Sequence, residues 1–148
     1  MTAPLLVFGW GNPSRGDDAL GPLCIERLRA LGLSAARVEY LEDFQLQVEH
    51  ALDLAGRARV LLVDASLRCA APFEVTQLQP AHDARLMSHA LTPEALLQVY
   101  AELRKEPPPP CTLLAIRGER FELGEPPGSA ALANLDAALQ WARAWLND

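Results

Sequence analysis

Short, unbroken apolar runs alternate along this chain with stretches in which apolar residues recur every three or four positions. Leu5 to Phe8 is continuously apolar, as in a strand buried on both faces. Leu20, Leu23, Cys24, Leu28 and Leu31 then recur at helical spacing. Pro22 is tolerated only near a helix start, which places that start around Asp18 to Leu20, with Gly32 as a terminator. Arg37 to Leu41 reads as a second strand, and Gln45 to Ala55 as a helix stopped by Gly56. Val60 to Val63 is another apolar strand, ending at Asp64, and Phe73 to Leu78 alternates as a half-exposed edge strand does. Thr92-Pro93-Glu94 joins a capping hydroxyl, a first-turn proline and an acid, and Leu96, Leu97, Tyr100 and Leu103 form the apolar face behind it. Pro107 to Pro110 is a stiff connector, and Cys111 to Ile116 a further buried strand. Ser129 is positioned to cap a last helix whose face is Leu132, Leu135, Leu139, Ala142 and Leu146. The order β-α-β-α-β-β-α-β-α predicts a three-layer α/β/α fold. Its sheet would be mostly parallel, of roughly five strands, with one antiparallel edge strand.

Composition narrows the class. A chain of 148 residues, half of them apolar, is expected to form one domain over 1–148. A net charge of -6 without a basic patch argues against nucleic-acid binding. No apolar run approaches the roughly 20 residues of a membrane span, and the N-terminus lacks a signal-peptide pattern. Cys24, Cys69 and Cys111 are odd in number and widely spaced, so they suit neither a disulfide framework nor a thiolate zinc site. A cytoplasmic monomer is the expectation.

The glycine-rich stretch Gly9 to Gly21 follows the first strand, where open α/β sheets build their sites. It carries adjacent carboxylates, Asp17 and Asp18, which suit a cation better than a phosphate. Ser14 stands where G-x-G-x-x-G needs its third glycine, and no Gly-Lys-Ser/Thr follows, so neither dinucleotide nor Walker-type binding is indicated. Loops after parallel strands gather along one sheet edge, which brings Asp17 or Asp18, Asp64 and His89 within reach of a common point. Oxygen and nitrogen donors of this kind suit nickel or zinc rather than calcium or magnesium. Simpler roles also fit: either loop aspartate can cap the first helix, and Asp64 can bond loop amides. His50, inside a helical pattern, and His82, in a polar stretch, are weak ligand candidates. No Gly-x-Ser-x-Gly elbow or His-Glu-x-x-His pair is present.

At Gly11-Asn-Pro-Ser-Arg-Gly-Asp-Asp-Ala-Leu-Gly21 the sequence closely resembles the hydrogenase maturation endopeptidases, which trim a C-terminal peptide from the large subunit of nickel-iron hydrogenases. Leu61-Leu-Val-Asp-Ala65, Ser88-His-Ala-Leu-Thr92 and Leu113-Leu-Ala-Ile-Arg-Gly118 extend the likeness in order and spacing over nearly the whole chain. The resemblance places the family's metal-contacting residues on Asp18, Asp64 and His89. One stretch departs: many members carry Asp-Gly-Gly-Thr-x-Gly where this chain has Leu41-Glu-Asp-Phe-Gln-Leu-Gln47. Ungapped alignment puts Glu42 at the acidic position, and a one-residue shift puts Asp43 there. Loss of the glycines makes that loop less permissive in backbone angle, and Phe44 and Gln45 become candidates to touch substrate. The Phe-Gln-Leu-Gln form resembles members serving NAD-coupled soluble hydrogenases.

The resemblance implies a hydrogenase large-subunit precursor as partner and substrate, already loaded with nickel. The metal would belong to the substrate and serve as a check on its maturation, and no organic cofactor is implied. Peptide hydrolysis would use the metal to polarise the scissile carbonyl, or a carboxylate as general base, with Asp17, Glu42 and Asp43 as candidates. A nickel- or zinc-binding chaperone or sensor without hydrolytic activity is the alternative that the same ligands allow.

Overall fold

The computed structural model describes residues 2–82 and 91–148. His89 and the rest of 83–90 lie outside the described residues. Five strands, β1 (Leu5–Trp10), β2 (Val38–Asp43), β3 (Arg59–Ser66), β4 (Phe73–Gln77) and β5 (Cys111–Arg117), form one sheet in the order β2-β1-β3-β5-β4. All neighbours are parallel except β4, which runs antiparallel to β5 at the edge. The helices α1 (Leu20–Arg29), α2 (Pro93–Arg104) and α3 (Ser129–Leu146) complete the layers. The expected architecture is therefore the observed one.

Strand alternation divides the core in two. Val7, Leu61, Val63, Leu114 and Ile116 face α1 and α3, meeting Leu20, Cys24, Leu28, Leu135 and Ala142. Leu6, Phe8, Trp10, Val60 and Leu62 face the other way, toward Leu54, Leu96, Leu97 and Tyr100. The central strands are buried on both faces, which is why their sequences read as unbroken apolar runs.

Several elements differ from expectation in ways that matter at the site. The helix expected over Gln45 to Ala55 is a 3-10 helix, Val48–Leu54. Residues 44–47 stay non-helical, Leu46 is buried in the core, and Gln47 is an extended N-cap sharing a capping box with His50. β2 runs on to Asp43, and β3 runs past Asp64 to Ser66 because it stays paired with β5 there. A 3-10 turn, Gly16–Ala19, precedes α1, and no side chain caps either element. Ser129 does not cap α3; Gly128 occupies the N-cap position. Thr92 does cap α2, accepting the Ala95 N–H at 3.1 Å. Leu103 lies exposed rather than on the apolar face of α2, and Leu31 is exposed beyond the end of α1.

Candidate functional site

Two glycines allow the loop after β1 to form. At Gly21, on α1, a Cβ would overlap the Trp10 backbone, so helix and strand approach as closely as they do only without a side chain. At Gly11 a Cβ would collide with the Asp18 carbonyl. The loop thus folds back over itself, and Asn12 N–H donates to Asp18 Oδ2 at 2.7 Å. Asn12 Oδ1 accepts the Ser14 N–H at 2.9 Å, which tightens the same turn.

Adjacent residues then go to different places. Asp17 is only 2 % exposed. Its Oδ2 accepts the Glu119 and Arg120 N–H groups at 2.7 and 3.0 Å, and its Oδ1 accepts Gly128 N–H at 2.8 Å. Burial pushes its carboxyl up, but these backbone donors, with Arg120 nearby, outweigh it and hold the group below the usual aspartate value. Asp17 does not cap α1. It ties the glycine loop to the segment joining β5 to α3.

Asp18 faces β3 instead. Asp64 is pushed up to about 7, first by burial and then by the negative charge of Asp18, against one backbone hydrogen bond from Ala65. Two carboxylates 46 positions apart in sequence therefore share one electrostatic environment at the carboxyl edge of the sheet. Such a pair holds a single net charge at neutral pH more easily than two, and a divalent cation or a proton relieves it. The third predicted ligand, His89, lies outside the described residues, among which no group of three or more metal-ligating side chains occurs.

Pleat and register separate the candidates on β2. Tyr40 packs on the α1 side of the sheet and Leu41 on the other, so Glu42 and Asp43 diverge in the same way. Glu42 reaches Arg29 of α1 at 3.5 Å. Asp43 stands opposite Trp10, and Trp10 follows the β1 residue that pairs with Val63 of β3. Asp43, Trp10 and Asp64 thus form one row on the same sheet face, with the two carboxylate-bearing strands roughly 10 Å apart across the indole.

Beside that row lies a cleft of about 400 Å³ lined by Asn12, Arg15, Asp18, Phe44, Gln45 and Phe121. Phe44, 66 % exposed, offers an apolar surface next to the charged loop. A smaller recess, about 220 Å³, is lined by Gly11, Pro13, Pro22, Glu42, Asp43 and Phe44. Larger concavities lie elsewhere: one beside β2 and the end of α1, and one against the Pro107–Pro110 connector. Neither includes Asp18 or Asp64. The three cysteines are free and buried, and burial pushes the Cys24 and Cys111 thiols up to about 12, which leaves them inert as nucleophiles.

One residue at this edge was undervalued by its local sequence. His50 looks like the interior of a helix, yet its ring packs tilted against Phe8, centroids 4.4 Å apart, and its Nε2 lies 3.1 Å from Asp43 Oδ2. The usable signal was the Gln-x-x-His spacing of Gln47 and His50, which reads as a capping box once the helix is started later.

No family model matches the sequence, and no curated protein sequence matches it. Solved structures do resemble it. A [NiFe] hydrogenase maturation protease HycI from Thermococcus kodakarensis superposes with a TM-score of 0.74 at 22% identity, over 99% of this chain and 94% of that one. The hydrogenase maturating endopeptidase HybD from E. coli gives 0.75 at 23% identity, over 97% and 91%. A hydrogenase 2 maturation peptidase from a Thaumarchaeota archaeon gives 0.68 at 20% identity, over 96% and 97%. From end to end, this chain has the fold of the hydrogenase maturation proteases.

Proposed function

We propose that this protein is an endopeptidase that removes the C-terminal extension of a nickel-loaded hydrogenase large-subunit precursor. The observation that carries the reading is the Asp18–Asp64 pair: two carboxylates, one from the turn after β1 and one from β3, brought together beside a cleft on the fold of the maturation proteases. The substrate brings the nickel, and Asp18, Asp64 and His89 add ligands to it. Productive binding then measures whether the precursor is loaded, because the acid pair gains most from a divalent charge. The extension lies in the cleft along Phe44 and Gln45, and the reaction takes place in the cytoplasm. The Phe-Gln-Leu-Gln stretch favours a precursor of the NAD-coupled soluble type.

Among the carboxylates considered as general base, Asp17 has its oxygens engaged by three backbone donors. Glu42 faces Arg29 on the other side of the sheet. Asp43 shares the Asp64 face and is the base of this mechanism. It takes the proton from a water whose oxygen bonds to the scissile carbonyl carbon, and it returns that proton to the amine nitrogen as the C–N bond breaks.

The test is cleavage of nickel-loaded and nickel-free precursor, read by mass. Wild type is expected to trim only loaded precursor, and Asp64→Asn to lose about 100-fold or more in rate, the scale of a lost ligand or acid–base group. Equal trimming of both precursors would remove the nickel check. Metal binding by the isolated protein with no trimming of either precursor would make it a chaperone or sensor.

A further inference from the structure

We propose that His50 is a positioning residue that fixes the Asp43 carboxylate beside Phe44, at the rim of the cleft; this rests on the endopeptidase reading and adds to it. The ring's state follows from its partners. Gln47 N–H donates to His50 Nδ1 at 2.8 Å, so that nitrogen carries no proton. The proton of the neutral ring is on Nε2, which donates to Asp43 Oδ2 at 3.1 Å. The other carboxylate oxygen, Oδ1, accepts Phe44 N–H at 2.7 Å. With one donor on each oxygen, the carboxylate plane cannot rotate freely.

The imidazole is itself held. It packs tilted against Phe8, and its side chain is only 13% exposed, whereas that of Asp43 is 41% exposed. A shielded ring thus supports an open carboxylate, whose remaining lone pairs are left for a ligand. The backbone beneath is equally fixed, since Gly11 N–H donates to the Asp43 carbonyl at 3.0 Å, tying β2 to the glycine loop. Asp43 lies in the stretch 41–47 that lacks glycines, and His50 lies three residues beyond its end. A loop without glycines cannot orient its acid by unusual backbone angles, and the histidine supplies that orientation from the side. Asp43 then stands in the row with Trp10 and Asp64, on the side of the indole away from the acid pair.

Two isosteric replacements separate positioning from mere capping of the 3-10 helix. In His50→Asn the amide oxygen replaces Nδ1 and keeps the Gln47 bond, but no donor reaches Asp43. In His50→Gln the amide nitrogen replaces Nε2 and keeps the donor to Asp43. With nickel-loaded precursor, His50→Asn is expected to lose roughly 10- to 100-fold in kcat with KM within about twofold, and His50→Gln to stay within about fivefold of wild type. Wild-type kcat in His50→Asn, or equal losses in both variants, would overturn the inference. A wild-type protein that trims nothing would instead overturn the endopeptidase reading. Nitrogen-15 chemical shifts of the unmodified chain test the geometry without substrate. The Nε2–H tautomer is expected at His50, and the Nδ1–H tautomer would overturn the proposal whatever the variants do.

Discussion

The glycine loop has two sides, and they treat a carboxylate in opposite ways. Toward the segment joining β5 to α3, Asp17 is surrounded by backbone N–H groups and held below its usual titration range. Toward β3, Asp64 meets burial and the charge of Asp18, and is pushed up to about 7. The first arrangement is satisfied within the fold and stabilises it. The second has a single backbone donor for each carboxylate, Ala65 for Asp64 and Asn12 for Asp18, and the crowded negative charge costs stability. Charge type is the same on both sides; the supply of donors makes the difference.

Breaking the satisfied side is expected to have the larger effect on stability. Asp17→Ala leaves three part-buried N–H groups without their acceptor, a loss of about 3–5 kcal/mol. Thermal melting of the variant should fall by about 8–15 °C for a domain of this size. The pH dependence has a definite sign. A folded-state value lowered from 3.8 means that Asp17 contributes fully above that pH and loses its contribution as pH falls through the lower folded value. The gap between wild type and Asp17→Ala should therefore narrow in acid. A gap independent of pH would mean that the carboxylate is not ionised in the fold.

Relieving the crowded side should do the reverse. Below pH 3.8 Asp64 is protonated in both folded and unfolded chains and has no effect. Between 3.8 and about 7 only the unfolded chain ionises, so stability falls as pH rises, and above about 7 the deficit is constant. Asp64→Asn, which removes the ionisable carboxyl, should melt about 3–8 °C higher than wild type at pH 8, a gain on the order of 1–3 kcal/mol. The two should converge toward pH 4. Equal melting temperatures at pH 8 would show that Asp18 and Asp64 do not burden each other.

The smallest effect sharpens the contrast on β2. Glu42 and Arg29 form an exposed pair at 3.5 Å, so Glu42→Ala should change stability by less than about 0.5 kcal/mol and leave precursor trimming unchanged. Loss of trimming would mean that Glu42, rather than Asp43, works at the cleft.

The extent to which the chain could be read in advance follows the range of the forces involved. Buried parallel strands write themselves as apolar runs, and Leu5–Trp10 and Cys111–Arg117 were legible to within one or two residues. α2 was legible from its start, because Thr92 and Pro93 act locally. Segment 45–55 was not, because Leu46 enters the core from an extended backbone and His50 bonds partners that periodicity does not reveal. Ser129 had the right chemistry for a cap, one position too late.

What the sequence determined alone is the alternation of strand and helix, and so the edge of the sheet at which Asp17, Asp18 and Asp64 lie. Patterning acts through neighbours at fixed spacing, and that information is local. Only the tertiary structure decided what each carboxylate does there. Asp17 and Asp18 are adjacent and chemically identical, yet one meets the amides of residues 119, 120 and 128 and the other meets Asp64. A carboxylate's role depends on the donors and charges close to it, and folding brings those neighbours from 46 positions away for Asp18 and from more than a hundred for Asp17.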